Sequence, residues 1–103
     1  MTRGTTPTHS FTIPFVDPNI NLVSIAYAQG GSIVLEKTAD DCTIAVGGTT
    51  TTITTKLSEN DTLLFKSGMV EIQLRLGDSN GERFASKIIR TPCDSILKDG
   101  VLE

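Results

Sequence analysis

The sequence predicts an all-β domain, an antiparallel immunoglobulin-like β-sandwich of seven to eight short strands. Threonine is the commonest residue and isoleucine the next, and both are β-branched types that suit a pleated sheet better than a helix. Short apolar runs alternate with turn residues at fairly even spacing, which is typical of sandwiches. At 103 residues, with no internal repeat or linker, we expect a single domain over residues 1–103.

The first strand is predicted over residues 8–15, where Phe11, Ile13 and Phe15 alternate with polar residues. Pro14 cannot donate to a neighbouring strand, so this run should be an edge strand or should bend at the proline. We expect the polar residues 1–7 before it to form a flexible N-terminal arm, suited to ordering on a neighbouring subunit.

The first hairpin is predicted at Gly30 and Gly31, because glycine supplies the positive φ that a two-residue turn needs. The strand before the turn has its apolar side chains on one face. A strict two-residue turn places Tyr27 opposite Val34, but it also puts the charged Glu36 on the apolar face. Which face of the second strand is buried therefore stays open.

A second hairpin is predicted at the Gly47–Gly48 pair. A two-residue turn gives three pairs on one face: Val46 with Thr49, Ile44 with Thr51, and Cys42 with Ile53. The apolar pattern and the turn length agree on this register. We therefore expect Ile53 and Leu57 in the core and Thr52, Thr54 and Lys56 in water.

The second half of the chain begins with a predicted tight helical turn at 58–62, in which Ser58 and Asp61 accept backbone N–H groups. Residues 69–76 give the strongest strand pattern, with every second residue apolar. A last strand is expected at 93–97, followed by a turn and tail at 98–103.

The connection at residues 78–82 is decided by register. A two-residue Asn-Gly turn mixes polar and apolar faces, whereas a three-residue loop with Gly81 in the left-handed conformation keeps them apart. The second choice sets three pairs side by side: Leu76 with Phe84, Leu74 with Ser86, and Ile72 with Ile88.

No group of residues predicts catalysis, a cofactor or a metal site, so we name no catalytic, cofactor-binding or metal-binding residue. His9 is the only histidine, and no local motif supplies the nucleophile and carboxylate of a triad; we expect an exposed or edge-strand histidine. The run Asp78–Glu82 resembles a calcium loop, but Ile89 stands where its last glutamate belongs, and a hairpin loop needs the same residue types. Asp40 and Asp41 are interpreted as a solvated loop.

The cysteines and the charges indicate the cellular compartment to expect and the classes of partner to exclude. Cys42 and Cys93 are far apart, and the start of the chain shows no secretory signal, so we expect separate thiols and synthesis in a reducing cytoplasm. The net charge is −3 and the nine basic residues are scattered; nucleic-acid binding needs a basic face, so we expect no nucleic-acid partner. No apolar stretch approaches the ~20 residues that span a bilayer, so we expect no membrane partner.

Residues 49–55 are threonine except for Ile53. We interpret this tract as a half-exposed strand that keeps β propensity while lowering hydrophobicity. An ice-, glycan- or partner-binding surface is the alternative, and a tract at a sheet edge could dock another chain by strand addition.

Five segments carry a resemblance to a known group: the opening Arg3–Phe11, Tyr27–Gly30, Leu57–Phe65, Val70–Leu76 followed by Ala85–Ser86, and Leu97–Gly100. Over nearly its whole length the chain resembles short, uncharacterised proteins encoded by prophages of gut Firmicutes.

The resemblance implies a non-enzymatic structural or accessory domain in virion or tail assembly, which acts through contacts with itself or with other phage structural proteins. It also implies incorporation into the phage particle. A surface ligand- or carbohydrate-binding module is the alternative, although Tyr27 and four phenylalanines are few aromatic side chains for stacking on sugars. A small hydrolase that uses His9 is the remote alternative.

Overall fold

Eight β-strands in two antiparallel sheets make up most of the computed structural model, which describes residues 1–103. The strands are β1 (Thr8–Ile13), β2 (Ile20–Gln29), β3 (Ser32–Thr38), β4 (Cys42–Val46), β5 (Thr51–Lys56), β6 (Gly68–Asp78), β7 (Arg83–Ala85) and β8 (Ile89–Cys93). A 3-10 turn (Ala39–Asp41) joins β3 to β4, and one short helix, α1 (Glu59–Leu63), joins β5 to β6.

The smaller sheet has the strand order β1-β5-β4, and the larger sheet has the order β3-β2-β6 with both β7 and β8 paired to the free side of β6. Twelve buried apolar residues fill the space between the sheets: Ile13, Val23, Ile25, Tyr27, Ile53, Leu57, Phe65, Val70, Ile72, Leu74, Leu76 and Cys93. This arrangement confirms the predicted all-β sandwich. It also places the predicted first strand at the edge of its sheet, with Pro14 just after its last residue.

The hairpin between β2 and β3 has the predicted two-residue turn, since Gly30 and Gly31 have φ of 58° and 83°. A bulge then shifts the pairing by one residue, so that Tyr27 lies opposite Leu35 and not Val34. Because one extra residue exchanges the two faces of a strand, the bulge moves Glu36 to the outer face. The conflict in the sequence pattern is resolved in this way.

The hairpin between β4 and β5 does not have the predicted register. Its loop covers four residues, 47–50, and is closed by the N–H of Gly47 donating to the carbonyl of Thr50 at 2.8 Å. The observed pairs are Val46 with Thr51, Ile44 with Ile53, and Cys42 with Thr55, so the predicted pairs were wrong by two residues. Neither glycine has a positive φ, so the primed turn that a two-residue loop requires is absent.

The faces of β5 follow the prediction, because a shift of two residues preserves them. Ile53 and Leu57 are fully buried, Thr52 and Thr54 are half-exposed and Lys56 is exposed. The tract is nevertheless more deeply placed than its composition indicates. Thr51 and Thr55 are also buried, and their hydroxyls donate to the carbonyls of Phe15 at 2.9 Å and Asp41 at 3.1 Å.

The predicted helical turn is confirmed as α1, whose N-terminus is capped reciprocally. The N–H of Asp61 donates to the Ser58 hydroxyl at 3.1 Å, and the N–H of Ser58 donates to the Asp61 carboxylate at 2.9 Å. Such a capping box satisfies backbone donors that a helix leaves unpaired.

The loop after β6 is also confirmed, with Gly81 at φ 86° and Leu76 opposite Phe84. The last predicted pair is shifted by one residue, to Ile72 with Ile89. The shift arises at Ser86, whose hydroxyl accepts the N–H of Leu74 at 3.0 Å in place of the strand ladder.

The last strand, Ile89–Cys93, lies four residues before the predicted 93–97. Pro92 therefore lies inside a strand, which is tolerated because β8 is an edge strand with only β6 as its partner.

Residues 1–7, for which the composition predicted a flexible arm, lie against the body of the same chain. Met1 and Arg3 bond to the backbone of residues 92 and 94 beside β8. The carbonyls of Thr5 and Pro7 accept hydrogen bonds at 2.8 and 2.9 Å from α1 and from the end of β5. In the tail at 98–103, Asp99 pairs with Arg3, and the N–H of Leu102 donates to Glu59.

Candidate interaction surface

A groove of about 620 Å³ lies on the side of the molecule where β1 of the small sheet faces β7 and β8 of the large sheet. Its lining comes from four segments: Ser10–Phe15, Leu74 and Leu76, Arg83–Ser86, and Ile89. The lining is mostly apolar, and a concave apolar surface of this volume lies in the range of binding sites in proteins.

Pro14 and the end of β1 position the groove. The chain bends after Ile13, and Phe15 then packs on Phe84 with ring centroids 4.7 Å apart. Phe11, Phe15 and Phe84 all line the groove and are half-buried. The remaining aromatic side chains, Tyr27 and Phe65, are fully buried.

Arg83 is the one charged residue in the groove lining. Its guanidinium lies over Gly77, where a Cβ would come within 2.9 Å of Nη1, and it donates to the carbonyl of Glu82 at 2.9 Å. No carboxylate lies within ion-pair distance of it. The groove therefore combines an apolar floor with a guanidinium that is available to pair with a carboxylate of a partner.

His9, the predicted edge-strand histidine, does lie on edge strand β1, but its ring is half-buried between the sheets. Its Nδ1 lies 2.7 Å from the hydroxyl of Tyr27. Burial lowers the pKa of His9, and the nearby N-terminal ammonium lowers it further. Both effects favour the neutral imidazole, and its bonded partner is a phenol and not the carboxylate that a catalytic triad requires.

A part-buried ion pair joins β3 to α1. Lys37 of β3 donates to Asp61 at 2.7 Å, and both side chains are less than a fifth exposed. Burial raises the pKa of Asp61, but hydrogen bonds from Lys37 and Ser58 outweigh burial and hold it below its usual value. Burial also raises the pKa of Tyr27, and the neighbouring Cys42 and Asp61 raise it further. The His9–Tyr27 contact joins the two sheets, and the Lys37–Asp61 pair joins the large sheet to α1.

The acidic runs that were compared with cation sites serve as turns. Oδ1 of Asp78 accepts the N–H groups of Asn80 and Glu82, both at 2.9 Å, which closes the hairpin loop. Asp41 accepts the N–H of Thr38 at 3.0 Å and so closes the 3-10 turn. No three His, Cys, Asp or Glu side chains are grouped as metal ligands would be.

The two cysteines are unpaired thiols on different sheets, Cys42 half-buried on β4 and Cys93 buried on β8. Burial raises the pKa of both thiols. Thiolates are the reactive form of cysteine, so neither side chain is activated.

The sequence identified no site residues, and the groove shows why. Its walls come from segments about seventy positions apart, and they meet only when the two sheets pack. The available signal was the run of three apolar residues at every second position up to Phe15, which continues beyond the end of β1.

Comparison with known proteins gives no match to a family model, a curated protein or a solved structure. Among the helices of the structure, none has the length and apolar character to cross a membrane.

Proposed function

We propose that this chain is a non-enzymatic phage structural or accessory protein, an immunoglobulin-like sandwich that acts in virion or tail assembly through protein–protein contacts at the groove. It is made in the bacterial cytoplasm and enters the particle with other phage structural proteins. The apolar groove between β1 and the β7–β8 edge is the observation that carries this proposal, since exposed apolar patches of this kind mark interaction sites.

The shape of the molecule supports the proposal. The Cα radius of gyration is 14.7 Å, whereas about 13 Å is expected for a compact chain of this length. The principal extents of 46 × 29 × 19 Å describe a thin slab. A thin sandwich buries less of its own apolar surface and leaves more for a partner to cover.

Apolar residues on the groove side add to this support. Ile88 and Ile89 are 49% and 46% exposed and lie next to the groove at the start of β8. A partner that fills the groove would bury Ile89, which belongs to its lining, at roughly 25 cal/mol for each Å² removed from water.

Carbohydrate binding is the second candidate, and the three phenylalanines of the groove favour it over other ligand classes. Sugars stack on aromatic faces, and Phe11, Phe15 and Phe84 are the aromatic side chains that reach the surface. They are half-buried, which leaves only part of each ring for stacking. Protein contact uses the whole groove and is therefore preferred.

The test is the protein content of phage particles released by the induced host strain, with variants of matched exposure. Ile89→Asp places a charge at the groove, and Met69→Asp places one at a residue of similar exposure, 55%, outside the groove. Circular dichroism first establishes that both variants fold.

We expect wild type and Met69→Asp in the particles, and a loss of about tenfold for Ile89→Asp, which corresponds to about 1.4 kcal/mol of contact energy. Particles that hold no wild-type protein, or equal amounts of both variants, would overturn the proposal. Glycan-array binding that Ile89→Asp abolishes would then support carbohydrate binding.

A further inference from the structure

The edges of the two sheets differ in how they are protected against pairing with another strand. On the large sheet, β3 carries a bulge and two charged residues, Glu36 and Lys37. The opposite edge is broken between β7 and β8, contains Arg90 and Pro92, and is partly covered by residues 1–3. Bulges, charges, proline and covering segments are the means by which proteins block edge strands.

Both edges of the small sheet lack these features. Strand β1 contains no charged residue and no proline, and neither does β4. Each pairs only with the central strand β5, in regular register without a bulge. Each therefore presents a row of unpaired backbone groups along five or six residues, which is a template for strand addition.

The two open edges match each other. Both strands are antiparallel to β5, so they run parallel to each other. Three rows cross the inner face of the sheet: His9–Thr55–Cys42, Phe11–Ile53–Ile44 and Ile13–Thr51–Val46. A copy laid alongside in the same orientation brings β4 next to the β1 of its neighbour and keeps apolar residues on the inner face.

We propose that copies of this chain assemble head to tail, with β4 of one copy paired in parallel with β1 of the next, so that the small sheet continues from copy to copy. This inference rests on the proposed function and names its partner, a second copy of the chain. One type of contact uses both open edges of every copy, and such contacts produce rings or filaments.

Charge and exposure both favour a second copy as the partner. The chain has a net charge of −3, but β1 and β4 carry none of it, so like charges do not face each other along the paired edges. Apolar residues are exposed on both sides that would meet: Ile33 and Val46 on the side of β3 and β4, and Ile88 and Ile89 on the side of β7 and β8.

Thiol cross-linking tests this arrangement in the full chain, with Cys42→Ser and Cys93→Ala as background. Thr12 and Ala45 lie in one row on the outer face of the small sheet, at opposite edges, and both are exposed. Thr12→Cys and Ala45→Cys are made separately and together, and each is treated with a short bis-maleimide. Met69→Cys, exposed on the large sheet, is the control.

We expect about tenfold more covalent dimer from the mixture of Thr12→Cys and Ala45→Cys than from either alone or from mixtures with Met69→Cys, because only pairing raises the effective concentration of the two thiols. The double variant should give a ladder of dimers, trimers and larger species. Light scattering of the uncross-linked wild type should show a mass that increases with concentration.

Equal cross-linking of Thr12→Cys alone would overturn the proposal in favour of pairing between two β1 strands. A monomer at every concentration, or cross-linking no greater than the control, would also overturn it. Particles that contain the protein without a ladder from the double variant would leave the proposed function standing and remove the head-to-tail contact. A ladder from the double variant with no protein in particles would leave the head-to-tail contact standing and remove the proposed function.

Discussion

Arg3 joins three distant parts of the chain, so its replacement by alanine should be strongly destabilising. Its Nε donates to the carbonyl of Phe65, just beyond α1, at 2.6 Å, and its Nη2 donates to the carbonyl of Leu63, the last residue of α1, at 3.1 Å. Its Nη1 pairs with Asp99. The side chain is only 18% exposed, so water replaces these contacts poorly.

The magnitude follows from the number of contacts. A hydrogen bond from a charged donor contributes about 1.5–3 kcal/mol, and the low end suits a partly buried group, so the two carbonyl contacts contribute about 3 kcal/mol. Asp99 is 67% exposed, and an ion pair with so exposed a partner adds little, because water and salt screen it. Arg3→Ala should therefore lower the free energy of unfolding by about 3 kcal/mol, or about 12 °C in Tm for a domain of this size.

Urea denaturation followed by far-ultraviolet circular dichroism measures this difference. Asp99→Ala should lose far less stability than Arg3→Ala, because its ion pair is exposed. Lys98→Ala, which removes a neighbouring exposed charge without an ion pair, should change little. Arg3→Lys keeps the charge but not the planar fork, so it should fall between wild type and Arg3→Ala. A loss below about 1 kcal/mol for Arg3→Ala, or an equal loss for Asp99→Ala, would refute the reasoning.

Three further predictions concern other parts of the fold. Gly31→Ala should lower the free energy of unfolding by about 1 kcal/mol, because the φ of Gly31 is 83°. Gly48 has an ordinary φ and open space where a Cβ would lie, so Gly48→Ala should raise that free energy by about 0.5 kcal/mol. Thermal melts that rank the two variants the other way would contradict the hairpin geometry. The folded state lowers the pKa of His9 below 6.5, so the unfolded chain binds the proton first and the free energy of unfolding should decrease as the pH falls below 6.5. Urea denaturation at a series of pH values should show this decrease in wild type and not in His9→Gln. NMR titration of the His9 ring should give a pKa below 6.5. Iodoacetamide should modify Cys42 before Cys93, which is only 2% exposed, and equal rates by mass spectrometry would count against that burial.

The sequence predicted those features of the fold that depend on which face of a strand is buried. The loop at Gly81 was decided correctly because the competing turn would have moved Phe84 to the wrong face. The β4–β5 register was wrong because the competing registers differ by two residues and bury the same faces. Alternation alone cannot separate such registers, and the glycine pair indicated the shorter loop.

The bulge in β3 shows a different limit. The sequence pattern revealed the conflict at Glu36 but contained no signal for its resolution at Val34, since bulges need no particular residue there. The groove and the contacts of Arg3 are even harder to predict from residue types. Each depends on groups sixty or more positions apart, and backbone carbonyls as acceptors leave no trace in residue type.

The contacts of the N-terminal segment also set the order in which the chain can fold. Arg3 precedes all its partners in the chain, since two of its acceptors lie near residue 64 and its ion-pair partner is Asp99. Strand β1 likewise waits for β5, since Phe11 pairs with Ile53. Early in synthesis β1 is an unpaired, uncharged strand, which is a species prone to aggregation. Strand β1 therefore stays open to pairing with other chains until β5 has been synthesised.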